Sequence, residues 1–405
     1  MGFQQGLSGL NAAARNLDVI GNNVANTNTV GFKSSRAEFA DAYALSLSGG
    51  GGGSAGIGVS VSDLSQQFSQ GDVTTTNNSL DVAINGGGFY RLSNNGSVSF
   101  TRNGQFKLDR EGFIVNAQGM KLTGYPVSAN GTINAGVPQE LQLETADIAP
   151  AASTTGSVGV GLDARVAAAT VPFDVTDGDS YAGATSLGVF DSLGREHALG
   201  LYFRKTADNA WEVHGTADGA SLGAPLGNLN FNVDGTLNAA TSTIPMNVTV
   251  PVGADAGGTQ VVALSMADVT QFGADFTVSE LEQDGFAPGR LAGFSVGADG
   301  TILSRYTNGE TEPRGRIALA NFANPQGLQS QGGNQWAETA DSGAPLIGAP
   351  GSGTLGILQS GALESSNVDL TAELVNMIMA QRVYQANAQT IKTHDQLLQT
   401  IVNLR

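Results

Sequence analysis

The residues of this 405-residue sequence that could do chemistry are few and widely separated. His197, His214 and His394 are its three histidines, and none has a second histidine four residues away, the spacing with which one helix face binds zinc. The stretch DVTDGDS, which begins at Asp174, carries three carboxylates but lacks the ligand spacing and the later Glu of an EF-hand loop. We therefore predict no catalytic, cofactor-binding or metal-binding residue, and no enzyme.

Two glycine-rich stretches resemble nucleotide-binding loops, but each lacks a feature that such a loop requires. Seven of the ten residues 49–58 are glycine, but no Lys-Ser or Lys-Thr follows them, so a flexible connector is the better interpretation. The letters GSGTLG at residues 351–356 fit the dinucleotide-binding pattern, yet they lie in a Gly/Ser-rich stretch rather than between a strand and a helix. Neither stretch predicts a nucleotide site.

Composition and charge exclude two classes of partner. The chain is 40% hydrophobic and 14% charged, which is typical of globular proteins, and its 56 glycines with 6% aromatic residues favour many short strands and turns. Its net charge is −17, and residues 145–284 hold 17 acids against four bases, a local excess of −13. This excess repels phosphate and anionic lipid, and no stretch approaches the roughly 20 apolar residues of a membrane span. We predict no nucleic-acid partner and no membrane insertion.

The sequence contains no cysteine, which excludes disulfides and thiolate metal sites. Its first residues, MGFQQGLSGLNAAARNLD, have neither the basic region nor the uninterrupted apolar region of a secretory signal. We expect a chain that stays soluble in the cell or is exported without a cleaved signal peptide.

Both ends of the sequence predict amphipathic helices with a coiled-coil seam. Apolar residues recur there at alternating spacings of four and three. The N-terminal seam is Phe3, Leu7, Leu10, Ala14, Leu17, Gly21 and Val24. The C-terminal seam is Leu370, Leu374, Met377, Gln381, Tyr384, Ala388, Ile391, Asp395, Leu398 and Val402, with Ser366 or Asn367 as candidate caps of its helix. Both helices therefore need helical partners.

The C-terminal helix also carries apolar residues away from its seam, such as Val375, Ile378, Leu397 and Ile401. Burial of one stripe would leave these residues in water, so we expect more than one neighbour. The alternative is that the two terminal helices simply pair and close a monomer.

Between the helices, the sequence reads as a succession of β-hairpins. VSFTRNGQFKLD predicts a hairpin that turns at Asn103-Gly104. LGVFDSLGREHALGLYFR predicts a second hairpin that turns at residues 191–194, and FSVGADGTILSRY a third that turns at Asp299-Gly300. The chain should be multidomain and mainly β, with helical termini.

The stretch IGNNVANTNTVGFK, residues 20–33, ends the first helix on residues that are poor helix formers. Asparagine offers donors and acceptors without charge, so it can face identical copies of itself without the repulsion that a charged residue would suffer. We therefore interpret these asparagines as part of an assembly interface on the terminal helices. The predicted interface residues are Phe3, Leu7, Leu10, Ala14, Leu17, Asn22, Asn23, Val24, Asn26, Asn28, Leu370, Leu374, Met377, Ile378, Tyr384, Ala388, Ile391, Leu398 and Val402.

Three blocks of the sequence closely resemble the axial proteins of bacterial flagella, the family of rod, hook and hook-associated subunits. They are LSGLNAAARNLDVIGNNVANTNTVGFKSSRAEF near the start, LDVAINGGGFYRL with FTRNGQFKLDREGFIVNAQGMKLTGYP, and GALESSNVDLTAELVNMIMAQRVYQANAQTIKTHDQLLQTIVNLR at the end. The length and the large central insertion are more similar to hook subunits than to the shorter distal rod subunits.

The resemblance implies nested, discontinuous domains and a structural role. The implied domains are a helical coiled-coil domain (1–30 with 365–405), an extended linker region (31–70 with 358–364), a β domain (71–144 with 285–357) and an inserted outer β domain (145–284). It also implies self-assembly into the hook, a curved tube that couples rod and filament and transmits torque. The implied partners are further copies, rod, hook cap and hook–filament junction proteins, and the type III export apparatus.

Other functions remain open from the sequence alone. A distal rod or another hook-associated subunit is one alternative within the family. A secreted β-rich carbohydrate-active enzyme or adhesin with helical anchoring ends is the alternative from another class, and an enzyme of this kind would need two carboxylates at a fixed separation in a cleft.

Overall fold

A computed structural model describes residues 2–42, 58–128, 131–134 and 136–403, with side chains from residue 3 to residue 400 of these ranges. The predicted connector at residues 49–58 lies outside the described residues except for Gly58, and so does the side chain of Val402. The chain forms two compact units. Unit 1 comprises residues 1–145, 293–304 and 311–405, and unit 2 comprises residues 146–292 and 305–310.

Two long helices occupy the ends of the sequence, as predicted: α1 spans Gly2–Ala25 and α2 spans Leu370–Asn403. The cap of α2 is Asp369, whose Oδ1 accepts hydrogen bonds from the backbone N–H groups of Thr371 (2.8 Å) and Ala372 (3.1 Å). The expected caps Ser366 and Asn367 were therefore wrong. A carboxylate at this position also interacts favourably with the positive end of the helix dipole.

Twenty-nine short strands lie between the two helices in the described part of the chain. In order they are β1 Ser35–Ala42, β2 Gly58–Gln66, β3 Val73–Thr75, β4 Val82–Asn85, β5 Phe89–Asn94, β6 Ser97–Thr101, β7 Lys107–Leu108, β8 Ile114–Val115, β9 Lys121–Pro126, β10 Gln139–Glu140, β11 Thr155–Asp163, β12 Gly183–Phe190, β13 Glu196–Ala207, β14 Ala210–Ala217, β15 Ala220–Ser221, β16 Gly227–Asn230, β17 Met246–Pro251, β18 Thr259–Ser265, β19 Thr270–Phe272, β20 Thr277–Gln283, β21 Leu291–Val296, β22 Thr301–Tyr306, β23 Thr311–Ile317, β24 Leu319–Asn321, β25 Gln329–Gly332, β26 Gln335–Ala337, β27 Leu346–Gly348, β28 Ile357–Ser360 and β29 Ala362–Glu364. Three 3-10 turns lie at Gly178–Ser180, Ala254–Ala256 and Pro325–Gly327.

Unit 1 joins the terminal helices to a large β-sheet. The main path of the sheet runs β21-β22-β23-β9-β5-β6-β26-β25, and its strands come from both halves of the sequence. Three two-stranded pairs, β1-β2, β4-β28 and β3-β29, complete the unit; the last two pair early strands with late ones. The N- and C-terminal parts of the chain therefore fold together, which confirms the discontinuous organisation.

Unit 2 is built from two five-stranded sheets around one core. One sheet has the order β17-β18-β11-β19 with β20 on the other side of β11, and the second has the order β12-β13-β14-β15 with β16 on β14. Leu162, Val250 and Leu264 from the first sheet share a single hydrophobic core with Leu201 and Trp211 from the second. The mainly β, multidomain architecture predicted from the sequence is confirmed.

Two of the three predicted hairpins form. β12 pairs with β13 across residues 191–194, and β21 lies beside β22 across Asp299-Gly300. The hairpin predicted at Asn103-Gly104 was wrong, because β6 pairs with the preceding strand β5 through Asn95-Gly96. Both of those residues have the positive φ that a tight hairpin turn needs, 50° and 94°.

Candidate assembly interface

The two terminal helices pack against each other in antiparallel orientation. Gly6 lies beside Ile391 and Gly9 beside Asn387 at one end, whereas Asn23 Nδ2 donates to Glu373 Oε1 (3.0 Å) at the other. A Cβ at Gly9 would lie 2.9 Å from Asn387 Nδ2, too close for an unstrained contact. Glycine at this position therefore leaves room for the Asn387 side chain against α1.

The face of α1 that meets α2 is not the predicted seam. The buried residues of α1 are Gly6, Ala12, Ala13, Ile20 and Asn23, most of which lie about one residue, or 100° of rotation, from the seam positions. Gly6, Ala12 and Ala13 are small, so at these positions the helices pair closely but bury little apolar surface per residue. The larger seam residues point elsewhere.

The predicted interface residues therefore differ in exposure within one copy. The exposed ones are Phe3, Leu7, Asn22, Asn28, Leu370, Leu374, Ile378, Tyr384 and Leu398. The half-buried ones are Leu10, Ala14, Leu17, Val24, Asn26, Met377, Ala388 and Ile391, and Asn23 is buried. About half of the predicted residues are thus exposed to partners outside the copy.

The helix α2 exposes an unusual amount of apolar surface. Nine large apolar side chains on it are exposed: Leu370, Leu374, Val375, Ile378, Met379, Val383, Tyr384, Leu397 and Leu398. On α1, Phe3 and Leu7 are also exposed, at 47% and 44%. Scattered apolar residues on a surface need no explanation, but a helix that shows them on several faces marks an interaction surface.

The asparagines at the end of α1 have distinct roles. Asn23 donates from Nδ2 to Ser35 O (2.8 Å) and accepts at Oδ1 from Ser35 N (2.9 Å), which joins α1 to the start of β1. Asn26 Nδ2 donates to Asn22 O (2.9 Å), and Thr27 Oγ1 donates to Val24 O (2.8 Å), so both side chains satisfy carbonyls at the helix end. Poor helix formers occur at this helix end because their side chains donate hydrogen bonds to carbonyls that no longer accept one from the helix backbone.

A groove of about 620 Å³ lies between α1, α2 and the β1-β2 pair, all within unit 1. Its apolar walls include Ala12 and Ala13 of α1, Met379 and Val383 of α2, and Phe39 of β1. Met379 and Val383 also belong to the exposed apolar surface of α2, so the groove continues that surface inward.

Below the helices, three charged side chains form a buried cluster that we call the junction cluster: Lys33, Arg102 and Glu364. Glu364 Oε1 lies 2.6 Å from Lys33 Nζ, and its Oε2 lies 3.2 Å from Arg102 Nη1. Lys33 also donates to Ser69 O (2.7 Å) and Arg102 Nη2 donates to Gly86 O (2.8 Å). The cluster joins the chain that leaves α1, the β-sheet and the strand that leads to α2.

Burial governs the electrostatics of the junction cluster. Desolvation lowers the pKa of Lys33, while the neighbouring Glu364 carboxylate opposes that shift. Asn367 adds a second link nearby, since its Oδ1 accepts from Ser34 N (2.8 Å) and its Nδ2 donates to Gln67 O (2.7 Å). The chain segments on both sides of the helices are therefore fixed by side-chain bonds rather than by helix packing alone.

Two histidines of unit 2 have opposite environments. His197 Nδ1 lies 2.7 Å from Asp218 Oδ2, and this hydrogen bond raises the pKa of His197. His214 stacks on Phe173 at 4.1 Å, and burial lowers the pKa of His214. Both are held by structural contacts of the unit.

Within the described ranges, no group of three or more His, Cys, Asp or Glu side chains is placed to hold a metal ion. None of the described helices combines the length and the apolar character that crossing a bilayer requires. The GSGTLG stretch forms a loop between β27 and β28, closed by a hydrogen bond from Gly351 N to Gly356 O (2.9 Å).

Four family models match successive parts of the chain. They are described as flagella basal body rod protein (residues 3–33), flagellar hook protein FlgE/F/G D1 domain (83–160), flagellar basal body protein FlaE D2 domain (161–286) and flagellar basal body rod FlgEFG protein C-terminal (359–404). The matches place the chain in the class of bacterial flagellar axial subunits.

Full-length relatives narrow this class. The chain is 45% identical to the flagellar hook protein FlgE of Escherichia coli over 422 residues and 45% identical to that of Salmonella typhimurium over 416, with 100% of each chain covered. It is 36% identical to FlgE of Rhizobium meliloti, covering 100% of this chain and 98% of the relative. The chain belongs to the flagellar hook protein family, whose members are structural subunits of the hook.

The fold agrees with this assignment. The crystal structure of Helicobacter pylori flagellar hook protein FlgE2 matches it with a TM-score of 0.54 at 15% identity, covering 72% of this chain and 99% of that chain. At this identity the likeness concerns the fold alone.

Proposed function

We propose that this chain polymerises through its terminal helices into the curved, hollow tube of the hook, where it serves as a flexible joint that transmits torque between rod and filament. The exposed apolar surface of α2 carries the proposal, because a single copy leaves nine large apolar side chains in water. Identical copies packed side by side would bury them.

The predicted interface residues divide between two roles in this proposal. The exposed seam residues, such as Phe3, Leu374 and Leu398, meet neighbouring copies. Asn23 acts within one copy, because its amide is already used by Ser35 and Glu373. Asn22 and Asn28 are exposed and uncharged, which suits a contact that repeats between identical subunits.

We propose the nested domain order that the family resemblance implies: helices (1–30, 365–405), linker region (31–70, 358–364), inner β domain (71–144, 285–357) and outer domain (145–284). The compactness of unit 2, residues 146–292, supports the outer domain. β3 pairs with β29 and β4 pairs with β28. These pairs support an inner domain to which both halves of the chain contribute strands.

The proposed partners are further copies, rod subunits, hook cap and hook–filament junction proteins, and the type III export apparatus. Export without a cleaved signal peptide, as expected from the residue pattern of the first helix, is part of this proposal. The relatives above bear the names of structural proteins, and the chain itself should act without catalysis.

Negative-stain microscopy of the concentrated, purified chain tests the proposal. Hollow tubes of uniform diameter are expected. Dispersed particles at every concentration, above all if they turn over glycans, would contradict it and favour the enzyme or adhesin alternative. A variant with Leu374→Gln and Ile378→Gln on the exposed face of α2 should assemble poorly while unit 2 stays folded.

A further inference from the structure

The last turns of α2 extend past the described part of α1. Gly6 of α1 lies beside Ile391, and α1 begins at Gly2, so the antiparallel pair ends near residue 395. Residues 396–403, which we call the tail, extend past this point as about 12 Å of helix. Leu397 and Leu398 in the tail are 54% and 57% exposed.

The groove between α1, α2 and the β1-β2 pair has the length and the apolar surface that such a tail requires. It extends along α1 from Gly9 to Asn23, about 20 Å, so a helix of two turns fits within its length. Its apolar walls come from residues such as Ala12, Phe39 and Val383. Apolar side chains spaced along a helix and set into a groove are a common mode of peptide recognition.

The tail of a copy cannot occupy its own groove. Glu373, Ala380 and Asn387 of α2 line the groove, and the tail is the straight continuation of the same helix beyond it. The helix would have to break and reverse to return. An occupant from this chain must therefore come from a second copy.

Charge favours this occupant as well. The two charged residues that line the groove are Arg36 and Glu373, which have opposite signs, and its other polar lining residues are amides and serines such as Asn16 and Asn387. In the tail, residues 396–403 are uncharged. Contact between the two surfaces would bring no like charges together.

We propose, building on the function given above, that the groove of one copy receives the tail of another, with Leu397 or Leu398 seated against Val383. The groove and the tail are different surfaces of the same chain, so each copy can donate its tail to one neighbour and accept a tail from another. Such a heterologous contact can be repeated from copy to copy, and it generates an open helical polymer when the rotation between successive copies does not close a ring.

Disulfide trapping tests the pairing of groove and tail. The sequence contains no native cysteine, so only the introduced cysteines can form disulfides. Val383→Cys and Leu398→Cys are combined in one chain, which is assembled without wild-type chain and oxidised, so that every groove and every tail carries a cysteine. Intermolecular disulfides should form in the tubes. The matched control combines Val383→Cys with Val233→Cys, a fully exposed position in unit 2, and should form none. Tubes that contain the first variant but yield no more cross-linked product than the control would overturn the proposal.

A second measurement covers the case in which the cysteine variants do not assemble. Leu397→Ala with Leu398→Ala should raise the critical concentration for assembly about ten-fold or more, because the leucine seated in the groove is lost whichever of the two it is. Leu346→Ala with Ile347→Ala, two exposed apolar residues on β27, is the matched control and should change it less than about two-fold. Assembly of the tail variant at the wild-type concentration would overturn the pairing. Failure of the wild-type chain to form any tube would instead contradict the proposed function.

Discussion

Lys33 Nζ lies 2.6 Å from Glu364 Oε1, and neither side chain has any surface exposed to solvent. The two residues are 331 positions apart in the sequence, so this contact joins the chain that leaves α1 to the strand that leads to α2. Arg102 binds the other carboxylate oxygen. One carboxylate thus balances two buried cations and links the segments that flank both helices to the β-sheet of unit 1.

Glu364→Gln should destabilise unit 1 strongly, since it keeps the shape of the side chain but leaves Lys33 and Arg102 without a buried counter-charge. Breaking a buried pair in this way costs about 3–5 kcal/mol. The matched control is Arg36→Gln, which removes the exposed Arg36–Glu38 pair and should cost less than about 1 kcal/mol. Urea unfolding of the two variants measures both free energies. Equal costs would show that the junction cluster does not hold the helices in place.

Asn23→Ala and Asn22→Ala compare one substitution at adjacent positions of α1. Loss of the Asn23 amide leaves both backbone groups of Ser35 and the Glu373 carboxylate without their partner, at a cost of about 2–3 kcal/mol. Asn22 is exposed, and alanine there improves helix propensity. Hydrogen exchange in assembled tubes should accelerate at the Ser35 amide in the first variant only. Equal acceleration in both would contradict the distinct role of Asn23.

Both helices and two hairpins could be predicted from the sequence because their signals are local. Periodic apolar residues define α1 and α2, and tight turns such as residues 191–194 define strand pairs. The hairpin expected at Asn103-Gly104 failed because two Asn-Gly pairs lie within ten residues, and Asn95-Gly96 makes the turn. Gly104 instead lies against Val82, where a Cβ would meet the carbonyl oxygen of Val82.

The contact faces could not be predicted from the same signals. The α1 face that meets α2 uses Gly6, Gly9 and Ala13. A search for periodic apolar residues misses these positions, because small residues allow a short distance between the helices but add little hydrophobic area. A repeat of small residues at spacings of three and four was the available signal. The junction cluster had none, since Lys33, Arg102 and Glu364 are far apart in the sequence and isolated charged residues predict solvent exposure.

His197 and His214 should titrate on opposite sides of about 6.5, the usual histidine pKa. The Asp218 hydrogen bond raises the pKa of His197, so its stabilisation of unit 2 is fully present below about 6.5 and is lost as the pH rises through the folded-state pKa. Burial lowers the pKa of His214, so its contribution is present above about 6.5 and is lost as the pH falls through the folded-state pKa. NMR titration of the histidine ring protons measures both values.

Asp218→Asn is the control for this titration. It removes the largest cause of the His197 shift, so the pKa of His197 should fall while that of His214 stays constant. Asp191 also faces His197, at 3.5 Å. Although burial alone would raise the pKa of Asp191, hydrogen bonds from Arg195 and Leu193 lower it to about 2, so this neighbour stays ionised throughout. If the pKa values of both histidines shifted in Asp218→Asn, the cause would be a global change in the structure of unit 2 instead.

Removal of most of unit 2 should spare polymerisation and change the mechanics of the tube. Ile148 and Gly289 exchange backbone hydrogen bonds of 2.9 and 3.2 Å, so residues 149–288 can be replaced by a two-glycine turn between them. The −13 charge of residues 145–284 argues against a dry apolar contact between outer domains, and we expect polar contacts that slide as the tube bends. Electron microscopy should find tubes of altered curvature or stiffness. Absence of tubes from a variant whose unit 1 is folded would show that unit 2 is needed for assembly.

The terminal helices should become stable only on assembly. Within one copy they pair through Gly6, Gly9 and Ala13, which bury little apolar area, while nine large apolar side chains of α2 remain exposed. Helical stability in proteins comes mainly from tertiary burial of an apolar face, so neighbouring copies must supply most of it. Hydrogen exchange should therefore be fast at residues 5–24 and 370–400 in a verified monomer and slow in tubes, with β13 of unit 2 as the internal reference that is slow in both. Slow exchange of both helices in the monomer would mean that a single pair of helices suffices, and that folding is independent of polymerisation.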